Sequence, residues 1–259
     1  MNLDEIADAE IAEEVKRDVS VGYFEADLQD LPLTRLRDRT FEILAHALAT
    51  VHINTGASNF TRATLLRVGA DDGRDVLLLC DENVAGIIQC KRYEKPIPLP
   101  MVLRELMRFA LRAVRNPRLV PDPYGFAYEF WTAGELTGPA LSFFDAPQAY
   151  IETNQTALLG ATRKARVGVE GLAVDNPKQA EAEEAAAIAM VAKFSLSTVG
   201  PVEIKSRLAD QPIVRRRFFR GPNDGPQQAT AADVARLLDA MRREHSAGGG
   251  ETSTYVPRA

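Results

Sequence analysis

Two apolar runs separated by a short polar turn dominate residues 73–95, GRDVLLLCDENVAGIIQCKRYEK, and constrain the fold more than any other part of the sequence. Apolar runs of this length on either side of an acidic, turn-prone segment predict a β-hairpin. We place its turn at residues 81–85, which brings Asp75 opposite Lys91. The second run nevertheless ends in Gln-Cys-Lys-Arg, a polar ending for a strand that a core should half bury.

Alternation of side chains along a strand accounts for this ending. Asp75, Gln89 and Lys91 are expected on one face of the hairpin, whereas Ile88 and Cys90 point into the core. The Asp75 carboxylate, the Gln89 amide oxygen and the Cys90 backbone carbonyl are hard oxygen ligands of the kind that Mg²⁺ prefers. Because a neighbouring lysine can orient a water or help to deprotonate it, the pattern predicts metal-dependent hydrolysis of a phosphodiester bond.

The order of these motifs resembles a known nuclease family. The sequence GADDGRD, a hairpin and then QCKRY are similar to the PD-(D/E)xK nuclease superfamily, specifically its Mrr-type restriction endonuclease branch, in which glutamine replaces the usual acidic residue. The resemblance covers about residues 31–140 and implies that Asp75 binds the metal, Gln89 takes the second metal position and Lys91 is catalytic. Glu42, in the sequence FEIL of the preceding helix, matches a glutamate that this branch often adds to the metal ligands.

The cofactor that the resemblance implies is Mg²⁺ or Mn²⁺. Since the amide of Gln89 binds a cation more weakly than a carboxylate does, we expect one metal ion rather than two. Asp72, in the loop before the hairpin, is a further candidate ligand. The predicted ligands are Asp75, Gln89, Glu42 and the backbone carbonyl of Cys90.

Simpler structural explanations fit the same residues. Asp75 and Lys91 also suit a plain cross-strand salt bridge, which stabilises little when it is exposed. Glu42 also suits a solvated position on a helix surface. The sequence alone leaves these alternatives open.

The arginines of a long predicted helix, from about Pro100 to Asn116, lie on one helical face. A row of this kind fits either a solvated surface or contacts with the backbone of a nucleic acid. A second basic segment, residues 215–220, fits either phosphate binding or a cap on the fold in which its two phenylalanines are buried. The residues that we predict to contact nucleic acid are Arg92, Arg104, Arg108 and Arg112.

The distribution of apolar, charged and glycine-rich sequence divides the chain into segments. Residues 1–30 form an acidic lead, and residues 31–150 an α/β core with a mixed sheet flanked by helices, which the resemblance implies to be restriction-endonuclease-like. Residues 151–220 are a helical C-terminal extension packing on that core, and residues 221–259 a linker with a short helix. Further predicted elements are a helix from Pro32 to about His52, strands at ATLLRV and FAYEFWTA, and a helix from Pro177.

Charge and composition limit the environment of the protein. The net charge of −5 argues against a uniformly basic surface but allows a local basic cleft. The two cysteines, Cys80 and Cys90, are too few for a disulfide framework and are expected as buried free thiols. An acidic N-terminus and the lack of an apolar run of about 20 residues predict a cytoplasmic protein that does not enter a membrane.

These observations predict a Mg²⁺-dependent DNA endonuclease, a hydrolase that acts on ester bonds. The sequence GGGETSTYVPRA at the end of the chain looks like the lead into a STAND or NACHT-like NTPase of antiphage defence. That resemblance implies an effector domain that works as a homo-oligomer when a C-terminal sensor and NTPase module assembles. The alternative is a catalytically silent nuclease-like domain that binds nucleic acid or supports assembly.

Overall fold

The computed structural model describes residues 5–17, 21–22, 31–67, 74–169 and 171–220. Its strands are β1 (Val21–Gly22), β2 (Arg62–Leu65), β3 (Val76–Cys80), β4 (Asn83–Lys91), β5 (Ala127–Thr132), β6 (Ser195–Val199) and β7 (Phe219–Arg220). A five-stranded mixed sheet with the order β2-β3-β4-β5-β6 forms the centre. Strands β2, β3 and β4 pair antiparallel, β4, β5 and β6 pair parallel, and β1 and β7 pair with each other.

Helices cover both faces of the central sheet. They are α1 (Asp8–Arg17), α2 (Asp38–Asn54), α3 (Leu99–Arg115), α4 (Gly138–Asp145), α5 (Pro147–Thr153), α6 (Gln155–Arg166), α7 (Pro177–Val191), α8 (Pro201–Asp210) and α9 (Pro212–Phe218). One face packs against α3, with α6 and α7 behind it, and the other packs against α2, with α1 and α9 beside it. The predicted α/β class, with a mixed sheet flanked by helices, is therefore confirmed.

Both faces of the hairpin strands are buried, which explains why their sequences are almost continuously apolar. Leu77 and Leu79 belong to the hydrophobic cluster on the α3 side of the sheet. Val76 and Leu78 belong to the cluster on the α2 side. The polar residues at the end of β4 are exceptions in this sheet, and they lie beside the point where β3 begins.

The hairpin turns more tightly than the sequence predicts. Cys80 pairs directly with Asn83, so only Asp81 and Glu82 form the turn, and the turn predicted at residues 81–85 is wrong. Asp81 has a positive φ of 54°, a left-handed conformation that aspartate tolerates better than most residues. This tolerance allows a two-residue turn without glycine.

The pairing register also differs from the prediction, but the faces do not. Leu77 pairs with Ile87, and a register shift between Leu78 and Leu79 separates this part of the ladder from the turn. The prediction that Asp75 lies directly opposite Lys91 is therefore wrong by two residues. Because side chains alternate with a period of two, a two-residue shift leaves every side chain on its original face.

Proline fixes the bounds of α3, the helix that packs over the end of the hairpin. Pro100 lies in its first turn, where a missing backbone N–H costs nothing, and Pro117 starts the short 3₁₀ helix that follows α3. The predicted long helix is confirmed. Helix α2 begins at Asp38 rather than just after Pro32, because a 3₁₀ turn at Leu33–Arg35 comes first.

Strand β6 belongs to the central sheet but was not predicted from the sequence. It lies within residues 151–220, predicted as a helical extension, and it hydrogen-bonds in parallel with β5 at the edge of the sheet. Its sequence SLSTV gives only five residues of weak alternation, with Leu196 and Val199 buried and Ser195 exposed. The extension therefore contributes to the central sheet as well as packing on it.

Several smaller expectations can be compared with the described residues. Phe218 and Phe219 are buried, as the capping alternative for the second basic segment requires. Cys90 is buried and Cys80 only half-buried, and both are free thiols. None of the helices in the described ranges has the length and apolar character that crossing a membrane requires. The predictions for Asp72 and for residues 221–259 lie outside the described residues.

Candidate active-site cleft

A cleft of about 840 Å³ opens where the end of the hairpin meets α2, α3 and the turn after α6. Its lining is strongly charged, and the formal charges of the acidic and basic side chains cancel. The acidic residues are Asp38, Glu42, Asp75 and Glu105, and the basic residues are Lys91, Arg92, Arg108 and Arg112. Every predicted catalytic residue, including Gln89, lines this one cleft.

Asp75 sits at the floor of the cleft and is held by the neighbouring strand. Asp75 and Gln89 are only 5% and 4% exposed. The Gln89 amide nitrogen donates to Asp75 Oδ2 at 3.0 Å, and the Cys90 backbone N–H donates to the same oxygen. Gln89 therefore acts here as a hydrogen-bond donor that orients Asp75, and its predicted role as an oxygen ligand stays a prediction.

Cys90 contributes backbone groups, rather than its thiol, to the candidate site. Burial, together with the nearby carboxylates of Asp75 and Glu42, raises the pKa of the Cys90 thiol well above its ordinary value. Ile88 accepts a hydrogen bond from the Asp75 N–H, so alternate residues of β4 direct their backbone groups towards β3. By this alternation, the Cys90 carbonyl points in the plane of the sheet towards β3, the strand that begins just after Asp75.

Lys91 reaches across the cleft to a carboxylate on α3. Its Nζ lies 3.0 Å from Glu105 Oε2. Burial alone lowers the pKa of Lys91, but the Glu105 charge and hydrogen bond, with a smaller contribution from Asp75, raise the pKa above its ordinary value. Lys91 is therefore a stable cation in this arrangement, better suited to orienting a water or a phosphate than to removing a proton.

Glu42 lies on the α2 wall of the cleft, where an arginine fixes it. Arg39 Nη1 donates to Glu42 Oε2 at 2.8 Å and to the Leu66 carbonyl at 2.9 Å, while Arg39 Nε donates to Glu14 at 2.7 Å. Glu42 is thus partly buried and held in the cleft. The alternative of a plain solvated helix residue is wrong.

The predicted nucleic-acid contacts divide into different environments. Arg108 and Arg112 line the cleft, whereas Arg104 is outside its lining and approaches Glu105 at 3.7 Å. Arg92 also lines the cleft, where its guanidinium donates to Asp38 at 2.8 Å and to the Thr34 carbonyl at 2.7 Å. Their contacts with a nucleic acid stay predictions. Arg115, the last arginine of the same helical row, instead binds Glu183 on α7.

Two residues near this site were not identified from the sequence. Glu105 is the acidic residue within the arginine row of α3, and that charge contrast was the available signal. Tyr128 is fully buried on β5, and burial with the charges of Glu105 and Asp75 raises the pKa of its phenol well above the ordinary value. Its hydroxyl therefore remains a neutral donor close to two carboxylates.

The oxygen atoms that line the cleft are of the type that binds a hard cation, although few of them belong to acidic side chains. Within the described part of the chain, no three His, Cys, Asp or Glu side chains form a group able to hold a metal ion. Asp75 and Glu42 line the same cleft, and Mg²⁺ commonly binds through one or two carboxylates while keeping several waters. The donor set therefore fits a single, largely hydrated ion.

Comparisons with family models, with curated proteins and with solved structures found no match for this chain. The nuclease resemblance consequently stays a prediction from the motif residues.

We expect Gln89→Glu to destabilise the metal-free protein in a pH-dependent way. The new carboxylate would lie against buried Asp75, and a like charge raises the pKa of such an acid above its unfolded value of about 4.3. The penalty is therefore absent below that pH, grows between the unfolded and the raised pKa, and stays constant at higher pH. Thermal unfolding should match wild type near pH ~4 and show a loss of about 1–4 kcal/mol near pH ~8.

The matched control is Gln148→Glu, because the Gln148 amide also donates a hydrogen bond, at 3.1 Å to the Phe194 carbonyl, but from an exposed position on α5 outside the cleft lining. This variant should lose much less stability at high pH. Mg²⁺ should restore part of the stability of Gln89→Glu, since paired carboxylates bind a divalent cation more tightly. Equal stability of both variants at both pH values would contradict the close contact with Asp75.

Proposed function

We propose that this chain is a divalent-metal-dependent nuclease domain that hydrolyses DNA phosphodiester bonds on a restriction-endonuclease-like core. The observation that carries the proposal is the convergence of Asp75, Gln89, Lys91 and Glu42 on one cleft that also contains Arg108 and Arg112. Phosphodiester hydrolysis needs oxygen ligands for a cation and separate cationic groups for the phosphate. Both kinds of group line the same cleft.

The position of each residue in the cleft suggests its role in hydrolysis. Asp75, oriented by Gln89 and by the Cys90 N–H, would hold the metal together with Glu42 and the Cys90 carbonyl. Because the formal charges of the lining residues cancel, a bound Mg²⁺ or Mn²⁺ would supply the net positive charge that attracts phosphate and would activate a water. Lys91, as a cation, would orient the attacking water and stabilise charge on the phosphate oxygens.

Arg108 and Arg112 continue the row of cations from Lys91 along α3. Arginine recognises phosphate through several N–H groups in a fixed plane, so these two residues suit neighbouring phosphates of the strand. Contacts of this kind position a nucleic acid without reading its sequence. They support binding to the backbone of DNA and leave base preference to other groups.

The direct test is cleavage of supercoiled plasmid by the purified chain with Mg²⁺ or Mn²⁺, with a chelator as control. The double variant Asp75→Asn/Lys91→Met, purified in the same way, controls for a contaminating nuclease. We expect metal-dependent nicking by wild type and none by the double variant. Linear single-stranded DNA and RNA in parallel reactions define the substrate class.

Two other results would contradict the nuclease proposal. Equal nicking by wild type and the double variant would assign the activity to a contaminant. Binding of DNA by wild type without cleavage, over a range of metals and protein concentrations, would favour the alternative of a catalytically silent nuclease-like domain for nucleic-acid binding or assembly. A mobility-shift measurement on the same samples separates binding from cleavage.

The wider biological setting stays a prediction. It comprises a cytoplasmic defence effector, homo-oligomerisation and activation by a C-terminal NTPase and sensor module. The sequence that suggests this setting, within residues 221–259, lies outside the described residues. Faster cleavage by longer versions of the protein than by this chain would support activation by assembly.

A further inference from the structure

Glu105 is a carboxylate in a position where a helix normally buries apolar side chains. It is 6% exposed, and its neighbours on α3, Leu103, Leu106 and Met107, belong to the hydrophobic core. Burying a carboxylate is costly unless cations and hydrogen bonds compensate for the lost water. The residue therefore needs partners, and its partners indicate what it does.

One carboxylate at this position binds several cations. Glu105 Oε2 lies 3.0 Å from Lys91 Nζ, and Arg108 Nη1 donates to Oε1 at 3.0 Å and to Oε2 at 3.2 Å. Arg104 Nε approaches Oε1 at 3.7 Å. Two cations that share one carboxylate repel each other, so the Glu105 charge is what keeps Lys91 and Arg108 side by side.

We propose that Glu105 is a positioning residue that holds Lys91 and Arg108 together as one phosphate-facing cluster, an inference that rests on the proposed nuclease function. Glu105 acts through its two partners and does not itself contact the substrate. The cluster keeps a net positive charge, because one carboxylate is shared among several cations. Lys91 is thereby fixed beside Asp75, where a scissile phosphate would lie.

A second buried glutamate shows what a purely structural version of this arrangement looks like. Glu184 on α7 is 4% exposed and pairs with Arg163 at 3.2 Å and with Arg166 at 3.8 Å. Neither of these arginines lines the cleft among the described residues. Glu105 differs because both Lys91 and Arg108 do line it, which links its carboxylate to the candidate chemistry.

The decisive variant is Glu105→Gln, which keeps the volume of the side chain. The amide keeps one acceptor oxygen, but it loses the negative charge that offsets the repulsion between Lys91 and Arg108, and it replaces the second oxygen by an N–H₂ donor that repels a cation. Lys91 and Arg108 are then no longer held firmly together. Glu184→Gln is the matched control, since it removes a buried carboxylate from an arginine pair outside the cleft.

Two readouts test the proposal. In cleavage kinetics we expect Glu105→Gln to lower kcat about 10- to 100-fold with little change in KM, and Glu184→Gln to leave both unchanged. In ¹H–¹⁵N spectra of lysine ammonium groups, we expect a slowly exchanging signal in wild type that is absent from Lys91→Met and is lost in Glu105→Gln. The spectra require no enzymatic activity.

The outcomes separate this inference from the proposed function. An unchanged Lys91 signal in Glu105→Gln, or an unchanged kcat, would overturn the positioning role while leaving the nuclease intact. If wild type cleaves nothing, the nuclease proposal fails, and the ammonium signal still decides whether Glu105 holds Lys91. If circular dichroism shows that Glu105→Gln is unfolded, Glu105→Asp, which keeps the charge on a shorter side chain, should weaken the Lys91 signal; an undiminished signal would overturn the proposal.

Discussion

Replacing Lys91 by methionine is expected to reduce DNA cleavage by about 10²–10³-fold while leaving the fold and DNA binding almost intact. The ammonium of Lys91 lies close enough to Asp75 for that carboxylate to raise its pKa, and its pairing with Glu105 at 3.0 Å holds it there before any substrate arrives. A preorganised charge of this kind acts mainly on the transition state. Methionine keeps most of the volume of the aliphatic chain, so the packing around β4 should be preserved.

The control for this prediction is Lys95→Met. Lys95 lies four residues further along the chain, is exposed, and is not part of the cleft lining in the described residues. Plasmid nicking should be unchanged in this variant, and mobility shifts should show similar DNA affinity for wild type and both variants. Full cleavage by Lys91→Met would exclude Lys91 as the catalytic cation. Loss of DNA binding together with cleavage would instead indicate a substrate-binding role.

The convergence of Asp75, Gln89 and Lys91 could be predicted because it depends only on the alternation of side chains along strands. The predicted turn and register were wrong, yet the error was two residues, and a two-residue shift keeps the same face. Glu42 was placed with them through the resemblance, which matched it to a helical glutamate of that nuclease branch. The resemblance to a nuclease family then supplied roles that geometry alone does not assign.

The other parts of the site depended on tertiary packing, which local patterns do not encode. The sequence shows Glu105 among arginines, but which of them shares its carboxylate with Lys91 is decided by where α3 docks on the sheet. The same applies to Tyr128, whose aromatic strand predicts burial but not the nearby carboxylates. Strand β6 was missed because edge pairing with β5 compensates for a short, weakly alternating sequence.

Asp75→Asn is expected to remove divalent-metal binding and to lower cleavage as strongly as the lysine variant. Asp75 Oδ2 accepts hydrogen bonds from the Gln89 amide and the Cys90 N–H, and an asparagine oxygen can accept both. The fold should therefore tolerate the change, while the negative charge that a hard cation requires is lost. Asp145→Asn, at the exposed end of α4, is the matched control.

Metal binding can be measured without cleavage, as the rise in melting temperature on adding Mg²⁺ or Mn²⁺. At about a hundredfold excess of metal over Kd, wild type and Asp145→Asn should gain about 5–10 °C, and Asp75→Asn should gain nothing. Lys91→Met should behave differently, because that variant should keep the metal response and still fail to cleave. This pattern would separate the metal site at Asp75 from the cationic cluster at Lys91, whereas a silent binding module would show no metal response that depends on Asp75.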